Sequence, residues 1–261
     1  MNHGQEIDEE THLSARIMST NSTNEPTQLQ TNNIDYVTSA AKAVLGMVPF
    51  AGSLLAELAG SVIPNQRIDR LSKFAIQLEA RLATLDQAFV RAQLTDENFT
   101  DLLEDGVRQA ARSLSDERRQ YLAALLGNGI SSDAISFAES KHILRILGEL
   151  TDVEVIWLRF YLNPEIGGDN EFRKKNDITL KPIAPSMGSG QGIIDSHALQ
   201  SSYKEHLSAL GLLSPRYEID SRTKQPIFDS RSGNLKLKGY EITSLGRLLL
   251  RQIALTSEPS A

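Results

Sequence analysis

The 261-residue chain contains no cysteine. That removes disulfides, thiolate metal sites, iron–sulfur clusters and thiol nucleophiles together, and it is compatible with a reducing compartment. An excess of positive charge is also lacking: 27 Lys and Arg stand against 33 Asp and Glu, a net charge of −6. The balance is uneven, with 14 basic and 22 acidic residues up to Leu162 and 13 against 11 beyond it. A strongly basic footprint, which phosphate-backbone binding usually needs, is absent globally.

The five histidines, His3, His12, His142, His197 and His206, include no pair at i, i+4, the spacing that sets two metal ligands on one helical face. His142, beside Ile143 and Leu144, is expected as a partly buried, hydrogen-bonded imidazole. No Gly-x-Ser-x-Gly elbow is present. Gly188-Ser189-Gly190-Gln191-Gly192 has the glycines of a phosphate loop, but Pro182 and Pro185 precede it where a buried strand should stand. Ile193-Ile194-Asp195 follow where Lys and Ser or Thr should. It reads as linker. The carboxylate pairs Glu104-Asp105 and Asp116-Glu117, and Glu149 with Asp152, fall on helix surfaces or first turns, where acids are expected for electrostatic reasons alone. Trp157, the single tryptophan, belongs to a core face. These features predict a protein that is not an enzyme and that carries no catalytic residue, cofactor or metal; they name no small-molecule ligand.

What is present is helical pattern. Residues 1–33 are polar, rich in Asn, Thr, Gln and Ser, and open on acidic rather than basic charge. They predict a disordered tail and a cytoplasmic protein. Residues 34–162 predict a helical bundle. Its start, Ala40 to Ile63, is an apolar hairpin broken at Pro49, with Val44, Leu45, Phe50, Leu54 and Leu55 as the candidate membrane-contacting residues. The unbroken parts are shorter than the roughly 20 residues of a spanning helix. The segment is expected either as buried core or as a membrane-active element released on activation.

Ile68, Leu71, Ala75, Leu78, Leu82, Leu85 and Phe89 then alternate by threes and fours as a seam for a partner helix. Thr95 is expected to N-cap a second helix through Phe99, Leu102, Leu103, Val107, Ala110 and Leu114. Ser115 should cap a third that ends at Gly127 to Gly129, and Ser132 a fourth through Ile143, Leu147 and Leu150. Thr151 with Glu154 matches the capping box, in which each side chain satisfies the other's free backbone donor.

Residues 163–193, with five glycines and three prolines, predict a flexible linker and a domain boundary. Residues 194–261 predict a small α+β module. In it a helix over Leu199, Tyr203, Leu207 and Leu210 stops at Gly211, and a hairpin turns at Ser232-Gly233-Asn234. Thr243 then caps a last helix.

The sequence Leu207-Ser208-Ala209-Leu210-Gly211-Leu212-Leu213, the hairpin, and Tyr240-Glu241-Ile242-Thr243-Ser244-Leu245-Gly246 resemble the winged-helix module in order and spacing. Across the whole chain, the apolar Pro- and Gly-containing segment, the helices after it and the T-x-x-G start at Thr243 and Gly246 look like the abortive-infection alpha group of bacterial phage-defence proteins. That resemblance implies an effector acting through protein contacts or through the apolar hairpin on a membrane. The winged-helix likeness alone implies a DNA-binding transcriptional regulator. Contacts to nucleic acid or to a partner would come from Ser202, Lys204 and His206 on the helix and Arg231, Lys236 and Lys238 on the wing. With so little excess positive charge, a protein partner or self-association is the favoured expectation, and any nucleic-acid binding should be weak.

Overall fold

The computed structural model describes residues 67–131, 135–165, 167–230 and 233–256. The tail, the apolar segment with Val44, Leu45, Phe50, Leu54 and Leu55, and the residues Ser132 and Arg231 lie outside the described residues. Those described are mainly helical, with one two-stranded antiparallel sheet near the C-terminus.

The first helix, α1 (Ile68–Leu82), buries Leu71, Phe74, Ala75, Leu78 and Leu82. It stops there, so the seam does not continue to Leu85 and Phe89 as expected. Asp86 accepts the Phe89 N–H at 2.8 Å and starts a separate helix, α2 (Gln87–Gln93), whose buried residue is Val90. An Asp makes a better cap than helix interior, and that local preference overrides the apolar spacing. Phe89 is left 41% exposed.

In α3 (Glu97–Arg112) the cap is Asp96 rather than Thr95. Its carboxylate accepts from the Asn98 and Phe99 N–H groups, while the Thr95 hydroxyl turns back to the Ala92 carbonyl. Leu114 falls beyond the helix and is exposed. Ser115 accepts from the Arg118 N–H, as its position predicts, at the start of α4 (Asp116–Ser131).

α4 is the central helix, buried continuously from Leu122 to Gly127, with α1, α3 and α5 around it. It runs through Gly127 and Gly129 instead of ending there. These glycines serve packing: a Cβ on Gly129 would lie 3.3 Å from Ser140 Oγ and 3.4 Å from Leu102 Cδ2. Gly106 on α3 does the same, since its Cβ would meet Leu126 Cδ1 at 2.8 Å.

Ser136, not Ser132, begins α5 (Phe137–Glu149), forming a capping box with Glu139. α6 (Asp152–Phe160) opens on the Thr151–Glu154 box that the sequence predicts. Two adjacent arginines on α4 then tie the helix ends together. Arg118 donates to the Leu147 and Leu150 carbonyls at 2.7 and 2.6 Å and pairs with Asp152 at 2.8 Å. Arg119 donates to the Ser113 carbonyl at 2.8 Å and pairs with Asp116. One guanidinium thus closes the C-terminal end of α5 and its neighbour that of α3, where free carbonyls and the helix dipole favour a cation. The bond from Arg119 also holds the Asp116 carboxyl below its usual range.

Between residues 163 and 193 the chain forms two short helices, α7 (Asn170–Lys175) and α8 (Asp177–Leu180). Two arginine–phenylalanine stacks join α7 to α6: Arg159 sits 5.1 Å over Phe172 and Arg173 sits 5.0 Å over Phe160. α9 (Gln191–Ala209) begins four residues before Asp195. It ends at Gly211, whose φ of +73° supports bonds from its own N–H to Ser208 and from the Leu212 N–H to Leu207.

Strand β1 (Leu213–Tyr217) pairs with β2 (Leu237–Ile242), Leu213 opposite Ile242. The connection carries two small loops rather than the one turn expected at residues 232–234. One is closed by the bridge Ile219 to Pro226, the other by Phe228 to Leu235. They repeat in sequence as well, Ile219-Asp220-Ser221-Arg222 and, nine residues on, Phe228-Asp229-Ser230-Arg231. Each Asp N–H donates five residues ahead, to Gln225 and to Asn234. Where the loops join, Glu218 donates to the Lys236 carbonyl, Lys236 to Ile227, and Ile227 to Glu218, a ring of three backbone bonds of 2.8 to 2.9 Å.

Helix α10 (Ser244–Gln252) is capped by Thr243, as expected, through the Gly246 N–H. A Cβ on Gly246 would lie 2.4 Å from the Leu212 carbonyl, so no larger residue fits. Asn128 of α4 donates to the Gln252 carbonyl at the end of α10. One apolar cluster runs from Leu71 to Ile253 and includes Leu213, Ile242 and Leu249.

Candidate partner-contact surface

The C-terminal end of α9 is docked on α6 by two of its polar residues. Lys204 Nζ lies 4.5 Å over the Trp157 ring, and desolvation there lowers the lysine pKa. His206 Nδ1 is 2.6 Å from Glu154 Oε1. Glu154 is 4% exposed and uses its other oxygen for the Thr151 capping box. Lys204 and His206 therefore face inward and hold the helix in place, a role that depends on where α6 lies and has no local signature in sequence.

Ser202 faces out. With Asp195, Leu199, Glu205 and Ala209 it forms a stripe spaced by threes and fours in which every residue is exposed. The stripe has two acids and no base. On the hairpin, Lys236 pairs with Glu218 at 2.7 Å and Arg216 lies 3.7 Å from Glu241. Lys238 is exposed and has no acidic partner among the described residues. Of the six candidate contact residues, the structure leaves Ser202 and Lys238 open to a ligand, engages Lys204, His206 and Lys236 internally, and does not describe Arg231.

Apolar side chains occupy the space that cations would have. Every residue from Gln191 to Leu199 is exposed, among them Ile193, Ile194 and Leu199, with Met187 just ahead. On the hairpin Tyr217, Ile219, Phe228 and Leu237 are exposed, and Tyr217 pairs directly with Leu237. Sequence gives no sign of these as contact residues, because an apolar helix or strand position ordinarily means core. A groove of about 510 Å³ between α9 and the hairpin is lined by Glu205, Ser208, Pro215, Tyr217, Leu237 and Tyr240.

No family model, curated protein or solved structure matches this chain. Among the described residues no group of three His, Asp or Glu converges as a metal site, and no helix is long and apolar enough to cross a membrane.

Proposed function

We propose that this chain is a non-enzymatic interaction protein: a helical bundle that presents a winged-helix-like module to a protein partner, in the phage-defence setting that its resemblance to the abortive-infection alpha group implies. The observation that carries this is the exposed apolar surface of α9 and the hairpin. Eight large apolar side chains in water, four on α9 and the residues leading into it and four on the hairpin, are the mark of a surface that is covered in use. Electrostatics oppose the DNA-regulator alternative: the outward stripe of α9 carries Asp195 and Glu205, where a recognition helix needs cations facing phosphate.

The test is a phage challenge of bacteria expressing the full chain, the double variant Ile194→Asp/Phe228→Asp, or a deletion of Ala40 to Ile63, with gel shifts on genomic fragments in parallel. Loss of protection in the double variant, with its melting curve unchanged, supports the contact surface. Loss in the deletion variant alone moves the activity to the apolar segment and a membrane. A nanomolar, sequence-selective DNA complex overturns the assignment.

A further inference from the structure

A second surface lies on the bundle, away from the partner-contact surface. α3 and α5 run in the same direction beside each other, with Gln109 donating to the Leu144 carbonyl and Lys141 paired with Asp101 and Asp105. Between them is a groove of about 530 Å³, within the usual size of small-molecule sites. Each wall carries two cations at i, i+4: Arg108 and Arg112 on α3, Lys141 and Arg145 on α5. Like charges at that spacing destabilise a helix by a few tenths of a kcal/mol, and here two such pairs face one another.

Nearby acids relieve only the first member of each pair. Arg108 is engaged by Glu104 and Asp105, and Lys141 by Asp101 and Asp105. Arg112 and Arg145 have no carboxylate partner among the described residues. The dipole of α3 accounts for Arg112, in its last turn, but Arg145 stands four residues before the end of α5. Arg145 lies 3.2 Å from Nδ1 of His142, which is exposed instead of partly buried as expected. A guanidinium can only donate, so in this contact His142 Nδ1 accepts, which leaves the ring N–H at Nε2. Arg112, Arg145 and His142 all line the groove, which thus offers two guanidinium groups and an imidazole N–H, all donors, around the apolar Leu144.

We propose that this groove binds a small phosphorylated anion, with its terminal phosphate held by Arg112, Arg145 and His142. A tetrahedral phosphate can accept from three converging donors, whereas one carboxylate would be satisfied by a single arginine fork. The ligand is compact. At the other end Asp105 lines the groove, and with Asp101 and Glu104 it already occupies Arg108 and Lys141, so that end holds no free cation for a second anionic group and suits a neutral, hydroxyl-bearing remainder.

Calorimetric titration of the full chain with inorganic phosphate, a nucleoside monophosphate and a hexose phosphate, at near-physiological salt, tests this and separates the sources of the phosphate. Saturable one-to-one binding to at least one of them is expected. The double variant Arg112→Ala/Arg145→Ala should weaken it at least tenfold, and His142→Glu, which puts a carboxylate among the donors, should abolish it. Arg91→Ala on α2, outside the groove, should change nothing. All four of these side chains are exposed, so the fold should tolerate the changes. Absence of binding to all three phosphates at millimolar concentration, wild-type affinity in the double variant, or equal weakening by Arg91→Ala would each overturn the proposal.

Discussion

The bundle of α1 to α6 and the module of α9, the hairpin and α10 handle the same residue types in opposite ways. In the bundle most large apolar side chains turn inward, with Ile76, Phe89 and Leu114 the exposed exceptions. Cations close helix ends, as Arg118 and Arg119 do for α5 and α3. In the module half of a 19-residue helix and much of a hairpin leave isoleucine, leucine, phenylalanine and tyrosine in water. Its inward cation, Lys204, leans on a tryptophan. Most of the buried apolar residues belong to the first region and most of the exposed large ones to the second.

The sharpest way to break that contrast is to place one charge in each region. Leu78→Asp buries a carboxylate at a position with 0% exposure and should cost on the order of 5 kcal/mol, the lower range of a domain's whole stability. Leu199→Asp on α9, 57% exposed, should stay within about 0.5 kcal/mol. Equal shifts in urea midpoint would erase the distinction. Next in size, Arg118→Ala strands two helix-terminal carbonyls and should lose about 3 kcal/mol, which chemical denaturation can read directly.

The seam between the regions should show a pH signature. Tyr161, at the end of α6, packs on Trp157, Phe160 and Tyr240, and burial, with Tyr240 nearby, pushes its phenol from 10.0 up to about 12. A raised tyrosine pKa means the neutral form is the one the fold stabilises. The contribution is whole below about pH 10 and is lost as pH rises through about 12. Urea midpoints followed from about pH 9 to about pH 12 should fall, and Tyr161→Phe should flatten the decline. The smallest effect belongs to the hairpin: Lys224 holds a φ of +58°, so Lys224→Gly should stabilise by roughly 0.5 kcal/mol. A loss of stability on that change would show that the lysine side chain matters more than its backbone.

Where a feature is local, the sequence discloses it. The Thr151–Glu154 box and the Thr243 cap each need only four consecutive positions, and both form as expected. Asp96 displaces Thr95 by a single residue, because two adjacent side chains compete for one set of N–H groups. Long-range relations are hidden. Gly127 and Gly129 look like a helix stop until Arg81 and Ser140 are seen pressing on them. Arg118 looks like a surface charge until carbonyls 29 and 32 residues away close on it. The same holds for the candidate surface: Lys204 and His206 lie on the expected helix, but which way they face is set by α6. The facing cations of α3 and α5 come from segments separated in sequence by the whole of α4, so no local pattern brings Arg112 and Arg145 together.

The ring of three backbone bonds among Glu218, Ile227 and Lys236 has a consequence for how the hairpin ends. An open ribbon finishes in N–H and C=O groups aimed at solvent, ready to recruit another strand. Here three segments each give one hydrogen and take one, and the circuit closes on itself. The tip therefore offers no template at that point for a strand from a neighbouring molecule. That end of the hairpin meets a partner through side chains, and strand addition is left to the outer edges of β1 and β2, which pair only with each other.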